Sequence, residues 1–393
     1  MPKFDDELTN NKRLVENRQV YEAFSKLDPV QSSSDMNAHF TIIERFSSGD
    51  CERARVYLAQ KSSGEKCVLK LQSLDASESR YVTRAFRKNS RRGLQGNHTF
   101  LRYSSWTELN MLRNARQVLL QQASPCFPFL YSSHFVETIN NIAFPLLDDV
   151  KERVYEPQLV HCIEYLSRIT LRKWLHNQII SSRYWQQEMK NAVELLKQQF
   201  SILFFHIFAA LYTLHNVGEF QHNDLHLDNI LMVHSKEVCG KFVYIINGKS
   251  YVIPNILGDF LRQIPIICDF ETASSVEEMQ NIPFQEHFRQ THKCAFNRCR
   301  LADEKCNHTV FCDILRILQD TFDELHSQEN SKALEQAFRP FNKVREQLLQ
   351  QFETHCSNKL LCISTLIESL YIQSSVPSSD FLLFDCDKIV PNK

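Results

Sequence analysis

The chain has 393 residues, 43% of them apolar and 23% charged, which is the composition of an ordinary globular protein with room for two or three domains. Its 45 basic and 46 acidic residues leave a net charge of −1, which argues against a general nucleic-acid binder. Glycine occurs only 8 times, so a dinucleotide-binding enzyme with a full glycine fingerprint is not expected.

Cysteine usage and hydropathy predict an intracellular, cytoplasmic protein. The 13 cysteines are odd in number and irregularly spaced, as expected of reduced thiols rather than a disulfide framework. The N-terminal segment MPKFDDELTNNKRLVENRQ lacks the apolar core of a signal peptide. The longest apolar stretch, 202–214, is shorter than the ~20 residues of a membrane span and contains His206. No membrane span is therefore expected.

The first part of the chain has mainly strand patterns. A polar N-terminal extension covers 1–39, with a helix expected near 11–24. Short apolar or alternating runs then predict strands at 40–46, 55–60, 66–71, 141–147 and 158–165. An arginine-rich stretch at 79–103 precedes a segment, 106–122, whose leucines and valine recur at helical spacing.

The second part is mainly helical. Helical patterning begins at Leu171, is strongest in 193–216 and resumes over 309–371, and a strand-rich interlude covers 230–268. A strand-rich part followed by a helix-rich part predicts an α+β fold with two lobes.

The segment His-Asn-Asp-Leu-His-Leu-Asp-Asn at 222–229 combines an acid and an amide five residues apart, just before an apolar strand. In a tight loop, Asp224 is suited to accept a proton from an attacking hydroxyl, and Asn229 to bind Mg²⁺ through its side-chain oxygen. A lone loop Asp is ordinarily a cap or turn residue. A second acid, Asp269 in Cys-Asp-Phe-Glu at 268–271, follows the next strand-rich stretch and is placed to hold Mg²⁺ on nucleotide phosphates.

These two segments resemble the catalytic loop H-R-D-L-x-x-x-N and the D-F-G motif of eukaryotic-type protein kinases. The resemblance implies a bilobal kinase-like fold, with a small β-rich N-lobe at 40–163 and a helical C-lobe at 164–393. It also implies ATP and Mg²⁺ as cofactors and a protein substrate.

Further positions match the same family pattern. Gly49 and Val56 match the phosphate-covering loop, and Lys70 in Val-Leu-Lys matches the lysine that holds the α- and β-phosphates. Glu108 is the expected partner of Lys70. The segment Glu-Tyr-Leu at 164–166 resembles the hinge, where backbone groups of Glu164 and Leu166 would bind adenine.

One more acid has an expected structural role. Asp313, in the second predicted helical region, is expected to brace the catalytic loop.

The chain also departs from the kinase pattern. Cys51 and Ala54 replace loop glycines, and Glu271 replaces the glycine of D-F-G. His226 stands where serine/threonine kinases usually have lysine, and no A-P-E motif is visible. D-L-H-x-x-N is similar to haspin-like kinases and to small-molecule phosphotransferases of the aminoglycoside and choline type. Two alternatives to a serine/threonine protein kinase therefore stay open: a small-molecule phosphotransferase of the same fold, and a pseudokinase scaffold.

An inserted hairpin is predicted within 236–262. Asn247-Gly248 between two alternating apolar runs is a strong hairpin signal. The insertion resembles kinases encoded by large nucleocytoplasmic DNA viruses, which implies a viral protein located in the host cytoplasm or the virion.

Two charged or metal-ligating stretches have both an ordinary and a functional interpretation. The basic stretch 79–103 is either a solvated insertion or a docking surface for an acidic or phosphorylated partner. The Cys- and His-rich stretch 287–312 has the residue types of a zinc site, but none of its spacings is C-x₂-C. Buried or structural cysteines are the favoured interpretation there.

Overall fold

The computed structural model describes residues 30–32, 40–46, 54–73, 104–136, 158–182, 189–218, 220–234, 240–254, 263–273, 310–327, 332–354 and 363–388. Contacts divide these residues into two compact units. One contains the described residues within Gln19–Arg116 and Pro128–Leu166, and the other contains those within Gln117–Phe127 and Ser167–Lys393.

The first unit is built on a six-stranded sheet. The strands are β1 (Val30–Ser32), β2 (Phe40–Arg45), β3 (Ala54–Lys61), β4 (Lys66–Ser73), β5 (Leu130–Val136) and β6 (Gln158–Glu164), in the spatial order β1-β5-β6-β4-β3-β2. The β1–β5 pair is parallel and the other neighbours are antiparallel. The turn between β3 and β4 places Gly64 at a φ of +91°, which glycine adopts without steric cost.

Helix α1 (Ser104–Leu120) follows the first four strands in the chain. Its buried residues include Leu109, Met111, Leu112 and Ala115, so one stripe of the helix is packed in the core. The sequence-predicted helix at 106–122 is thus confirmed with a start two residues earlier.

The second unit is mainly helical. Its helices are α2 (Leu171–Ser182), α3 (Met189–Gly218), α4 (Val310–His326), α5 (Lys332–Thr354) and α6 (Ile363–Leu370). Rings on α3 and α5 pack together: Phe204 lies 4.6 Å from Phe341 and 5.8 Å from Phe338 between ring centroids. Helices α3 and α5 therefore share an aromatic part of this core.

Helix α3 also qualifies, by length and composition alone, as a candidate membrane span over Val193–Gly218. The expectation of no span was based on the uninterrupted apolar stretch 202–214, which is shorter than this helix. In the helix, 83% of the most apolar window is buried inside the protein, which is typical of a core helix in a globular unit.

Two small sheets complete the second unit. Strands β7 (Ile230–His234) and β10 (Gln263–Ile267) pair antiparallel, and β8 (Lys241–Ile246), β9 (Lys249–Pro254) and β11 (Phe381–Asp385) form the sheet β11-β8-β9. The predicted hairpin is present, with Asn247 and Gly248 at φ values of +52° and +68° between β8 and β9.

The α+β class predicted from the sequence is confirmed: the sheet-rich unit precedes the helix-rich part of the chain. Three strands were missed, of which β1 lies in the N-terminal extension, where no strand was expected. Strand β5 contains Ser-Ser-His, which interrupts apolar alternation, and β11 lies beyond the last predicted helix. The predictions for 11–24 and 141–147 lie outside the described residues.

Candidate active site

A buried ion pair joins β4 to α1. Lys70 Nζ lies 2.8 Å from Glu108 Oε1, and both side chains are buried. On α1, Glu108 shares its face with the buried residues Met111, Leu112 and Ala115, because residues three, four and seven positions apart return to one side of a helix. The helix thus places a carboxylate within an apolar face. A buried carboxylate is strongly destabilising unless it is paired, and Lys70 supplies the pairing charge.

The register of the sheet surrounds Lys70 with specific neighbours. Val56 on β3 lies directly opposite Lys70, and Lys70 lies directly opposite His161 on β6. Directly opposite residues of antiparallel strands share a face, and so do residues two positions apart along one strand. Gln72 is therefore on the face of Lys70, and its Nε2 donates a hydrogen bond to Glu108 Oε2.

Two further buried side chains extend this arrangement. His161 Nε2 lies 3.3 Å from Gln72 Oε1, and Ser133 Oγ lies 2.8 Å from His161 Nδ1. Burial, followed by the positive charge of Lys70 and a smaller effect of His134, lowers the pKa of His161 to about 3. Neither these two residues nor Gln72 was predicted as a site residue from the sequence. Strand alternation from Lys70 was a usable signal for Gln72, whereas His161 and Ser133 follow only from the strand register.

The predicted hinge residues lie at the end of β6. Glu164 N–H donates to Phe129 O at 2.8 Å, and Phe129 N–H donates to Glu164 Oε2 at 3.2 Å. Leu166 is half-buried, and its N–H has no acceptor within the part of the chain that the structure describes.

In the second unit, one carboxylate fixes the loop that carries Asp224. Asp313, in the first turn of α4, accepts hydrogen bonds from His222 N–H (2.7 Å) and Asn223 N–H (2.8 Å) through its two oxygens. Asn223 has a φ of +66°, a conformation that Asn tolerates better than most residues. Asp313 is buried, so the two hydrogen bonds are shielded from water. The sequence-predicted brace is thus present in the structure.

The side chain of Asn229 closes the loop. Its Nδ2 donates to Asp224 O at 2.9 Å, and Asn229 lies in a short 3₁₀ turn, Leu227–Asn229. His226 lies beside the side-chain carboxyl group of Asp224, with Nε2 3.8 Å from Asp224 Oδ2, and its Nδ1 accepts from Asp228 N–H at 3.2 Å. The side chain of Asp224 is 40% exposed, so it is accessible to a substrate.

The β7–β10 pairing brings the second acidic segment to this loop. Ile230 lies opposite Ile267, so the residue before β7 and the residue after β10 are adjacent: Cys268 N–H donates to Asn229 O at 3.0 Å. Asp269 comes next, exposed and with a φ of +64°.

The Asp269 segment is also bonded to the loop through His222. His222 Nε2 donates to Cys268 O at 2.9 Å, and Thr272 Oγ1 donates to His222 O at 3.2 Å. The rings of His222 and Phe270 pack with centroids 5.3 Å apart. The loop and the Asp269 segment, which are distant in the sequence, therefore form one hydrogen-bonded group, in which the side chain of Asp224 is partly exposed and Asp269 is exposed.

The electrostatic surroundings favour proton uptake by Asp224. Burial raises the pKa of the Asp224 carboxyl group above its ordinary value. The neighbouring carboxylates Asp269 and Asp320 add to this rise, and His226 and Arg316 oppose it. A carboxylate with a raised pKa is a stronger base for a hydroxyl proton.

An exposed network at the edge of the loop was not predicted. Arg172 Nε donates to Asp228 Oδ2 at 2.8 Å, and Arg172 donates through its NH1 to Glu324 Oε2 at 2.7 Å. Thr170 Oγ1 also donates to Asp228, at 3.2 Å. No sequence pattern links these residues, because they are 56 and 152 positions apart.

Three sequence-based expectations fall outside the described residues. These are Gly49, the basic stretch 79–103, and all of the Cys- and His-rich stretch except 310–312. Among the residues that the structure describes, no group of three or more His, Cys, Asp and Glu side chains is arranged to hold a metal ion.

Comparison with known proteins finds matches among solved structures alone. No family model matches this chain, and no curated protein matches it. Among solved structures, the chain is similar to the crystal structure of the BubR1 kinase domain, with a TM-score of 0.43 and 13% identity, over 92% of this chain and 96% of that chain. Nothing about activity follows from a likeness at this level.

Proposed function

We propose that the chain is an ATP- and Mg²⁺-dependent protein kinase that transfers the γ-phosphoryl group of ATP to serine or threonine hydroxyls of proteins. The observation that carries this proposal is the convergence of Asp224, Asn229 and Asp269 around the His222–Asn223 backbone held by Asp313. An exposed base beside two oxygen ligands is the arrangement that phosphoryl transfer requires, because catalysis there is mainly positioning and charge neutralisation.

Lys70 supplies a positive charge for the nucleotide phosphates. Its ammonium group is held by Glu108 at 2.8 Å, and a paired lysine keeps its charge when buried. Substituting methionine keeps the length of the side chain and removes that charge.

The residues around Asp269 fit a bound Mg²⁺ ion. Asn229 Nδ2 is engaged by Asp224 O, which leaves the amide oxygen as the available ligand atom, and Asp269 offers an exposed carboxylate. Mg²⁺ usually takes one or two protein oxygens together with substrate phosphates, so these two residues suffice. When bound, the ion would neutralise the negative charge of the phosphates.

Asp224 acts as the base in this proposal. The acceptor oxygen forms a bond to the γ-phosphorus, the bond from that phosphorus to the β–γ bridging oxygen breaks, and ADP leaves with the electron pair. The hydroxyl proton passes to Asp224, whose raised pKa suits it to accept the proton.

The adenine site is proposed at the end of β6. The Leu166 N–H group, without an acceptor among the described residues, is suited to donate to a ring nitrogen of adenine. The Glu164 carbonyl group is the proposed acceptor for the adenine amino group. Val56, on the sheet face of Lys70, and Gly49, outside the described residues, complete the proposed nucleotide-binding set.

The test is transfer of label from γ-labelled ATP with Mg²⁺ to casein-like and basic protein acceptors. Label on serine or threonine is expected, and Asp224→Asn and Lys70→Met should each lower the rate by about 10²–10⁴-fold. Lys66→Met, an exposed lysine on the same strand, is the matched control and should leave the rate within about twofold. Equal labelling by the wild-type chain and both site variants would contradict the assignment.

A small-molecule phosphotransferase is the second candidate. The observation in its favour is His226, whose ring lies 3.8 Å from Asp224 Oδ2 where a lysine is usual in serine/threonine kinases. A panel of aminoglycoside- and choline-like alcohols in the same assay separates the two acceptors. ATP binding without transfer to any acceptor would instead support a pseudokinase scaffold.

We also propose that the enzyme is virus-encoded and acts in the host cytoplasm or the virion, on the strength of the inserted-hairpin pattern. The basic stretch 79–103 is the proposed docking surface for an acidic or phosphorylated protein. Immunodetection in purified virions and in cytoplasmic fractions of infected cells tests the location. Detection only in uninfected cells would contradict it.

A further inference from the structure

The Lys70–Glu108 pair is one end of a longer chain of buried hydrogen bonds. The chain continues from Glu108 Oε2 to Gln72, then to His161 at 3.3 Å, and then to Ser133 at 2.8 Å. All five side chains are buried, and Ser133, His161 and Glu108 are each at most 1% exposed. Four of the five come from three neighbouring strands, β4, β6 and β5.

The direction of each hydrogen bond follows from its chemistry. An ionised carboxylate only accepts, so Gln72 must present its Nε2 to Glu108 and its Oε1 to His161. Gln72 Oε1 also only accepts, so His161 must carry its proton on Nε2. His161 Nδ1 is then an acceptor, and the Ser133 hydroxyl group donates to it.

Alternative orientations conflict with the charge of Glu108. If the Gln72 amide were flipped, its oxygen would face a carboxylate oxygen, and two acceptors in a dry environment repel each other. A protonated His161 would be a second positive group beside Lys70, and it would have no acceptor lone pair for Ser133. The neutral Nε2–H form of His161 therefore locks the amide of Gln72 in the orientation that Glu108 needs.

We propose that Gln72, His161 and Ser133 are positioning residues that hold Glu108 against Lys70, so that the phosphate-binding lysine is oriented before nucleotide binds. This inference rests on the proposed phosphotransferase function. The geometry supports it because both oxygens of Glu108 have named donors, Lys70 on one and Gln72 on the other. In this account, Gln72 acts only through Glu108.

Adjacent serines on β5 provide a matched pair for the test. Ser133 is bonded to His161, and Ser132 is bonded to His134 at the same distance of 2.8 Å, but on the opposite face of the strand. Ser133→Ala should lower kcat/KM for ATP by about 3- to 10-fold, and Ser132→Ala should change it by less than about twofold. Equal effects of the two substitutions would overturn the proposal.

A double-mutant cycle separates positioning from general destabilisation. Gln72→Met alone should lower kcat/KM by about 10- to 100-fold because Glu108 Oε2 loses its donor. In a Glu108→Leu background, the same substitution should lower kcat/KM by less than about twofold, since the oxygen that accepts from Gln72 is already gone. Additive losses in the double variant would show that Gln72 does not act through Glu108.

Nitrogen NMR of ¹⁵N-histidine-labelled wild-type chain tests the inference without any activity. His161 should give the neutral Nε2–H tautomer throughout pH 5–8, and its low pKa is consistent with this result. An Nδ1–H tautomer or an imidazolium would overturn the proposal. If no acceptor is labelled but the Nε2–H tautomer is found, the proposed function fails while the positioning chain stands.

Discussion

Two carboxylates in the helical unit use the same hydrogen-bonding geometry in very different surroundings. Asp313 accepts from the consecutive N–H groups of His222 and Asn223, at 2.7 and 2.8 Å, in the proposed active-site loop. Asp387 accepts from the consecutive N–H groups of Asn247 and Gly248, at 2.8 and 2.7 Å, in the β8–β9 turn.

In both places the paired N–H groups include a residue of positive φ, so a carboxylate stabilises a backbone turn that is intrinsically less favourable. Burial is what differs. Asp313 is 2% exposed, whereas Asp387 is exposed to solvent. Water can replace a carboxylate in the hairpin but not in the loop, so the same geometry should have a larger energetic effect at Asp313. Burial, rather than hydrogen-bond geometry, therefore determines how much stability each turn loses when its carboxylate is removed.

The largest expected effect is that of Asp313→Ala. Two buried N–H groups would lose their acceptor, each at about 1–3 kcal/mol, so the free energy of unfolding should fall by about 2–6 kcal/mol. Phosphotransfer should be lost with it, because the loop carrying Asp224 would no longer be fixed. Urea denaturation and the labelling assay measure both. Asp323 is an exposed acid on the same helix, and Asp323→Ala is the control. It should lower the free energy of unfolding by about 0.5 kcal/mol or less.

Acid should destabilise the protein through buried histidines, one of which, His222, belongs to the Asp313-held loop. Burial lowers the pKa of His161 and His206 to about 3 and that of His222 to about 4. The unfolded chain, with an ordinary pKa of about 6.5, takes up protons that the folded chain excludes, so stability falls as pH drops through 6.5.

Between pH 7.5 and 5.5, each of these histidines should lower the free energy of unfolding by about 1.4 kcal/mol, and the three together by about 4 kcal/mol. Urea denaturation at the two pH values measures this difference. His206→Phe should remove about a third of the acid sensitivity. A free energy of unfolding that does not change between the two pH values would contradict the burial argument.

Asp387→Ala should have a smaller effect than Asp313→Ala. It removes the acceptor of two turn N–H groups and of Tyr212 Oη–H, which donates to Asp387 Oδ1 at 2.7 Å. Because the turn is open to water, we expect the free energy of unfolding to fall by about 1–2 kcal/mol. Transfer of label from γ-labelled ATP should be retained. Lys388→Met, an exposed neighbour, should be neutral. A fall in the free energy of unfolding as large as that of Asp313→Ala would contradict the conclusion that burial determines the effect.

The smallest effect is expected at the exposed pair on the edge of the active-site loop. Arg172 and Asp228 have side chains 43% and 45% exposed, and exposed ion pairs typically contribute about 0–1 kcal/mol. Arg172→Met should therefore lower the free energy of unfolding by less than about 1 kcal/mol, less still at high salt. A loss above about 2 kcal/mol would show that this network stabilises the loop far more than its exposure implies.

The two turns also show why one was predicted in full from the sequence and the other was not. Residues 222–229 form one contiguous pattern, whereas the bracing Asp313, 91 positions from His222, was expected only from the resemblance to the kinase family. The Asn247-Gly248 turn is a local signal and was found, but Asp387 lies 140 residues from Asn247. Its position depends on the parallel pairing of β11 with β8, which no local pattern specifies.

The same reason explains the remaining gaps at the candidate site. Asp224, Asn229 and Asp269 have residue types and spacings that point to chemistry, and the resemblance to the kinase pattern implies Lys70 and Glu108. Gln72, His161 and Ser133 are ordinary strand residues whose partners are set by the register of three strands. Sequence periodicity gives the face of a strand but not the residue opposite it.

The most direct test of the central claim compares two acids of one loop, Asp224 and Asp228, which have similar exposed fractions of 40% and 45%. Initial rates of label transfer from γ-labelled ATP to serine and threonine should fall by about 10²–10⁴-fold in Asp224→Asn and by less than about threefold in Asp228→Asn. Equal rates in the two variants would contradict the assignment of Asp224 as the base of a phosphotransferase.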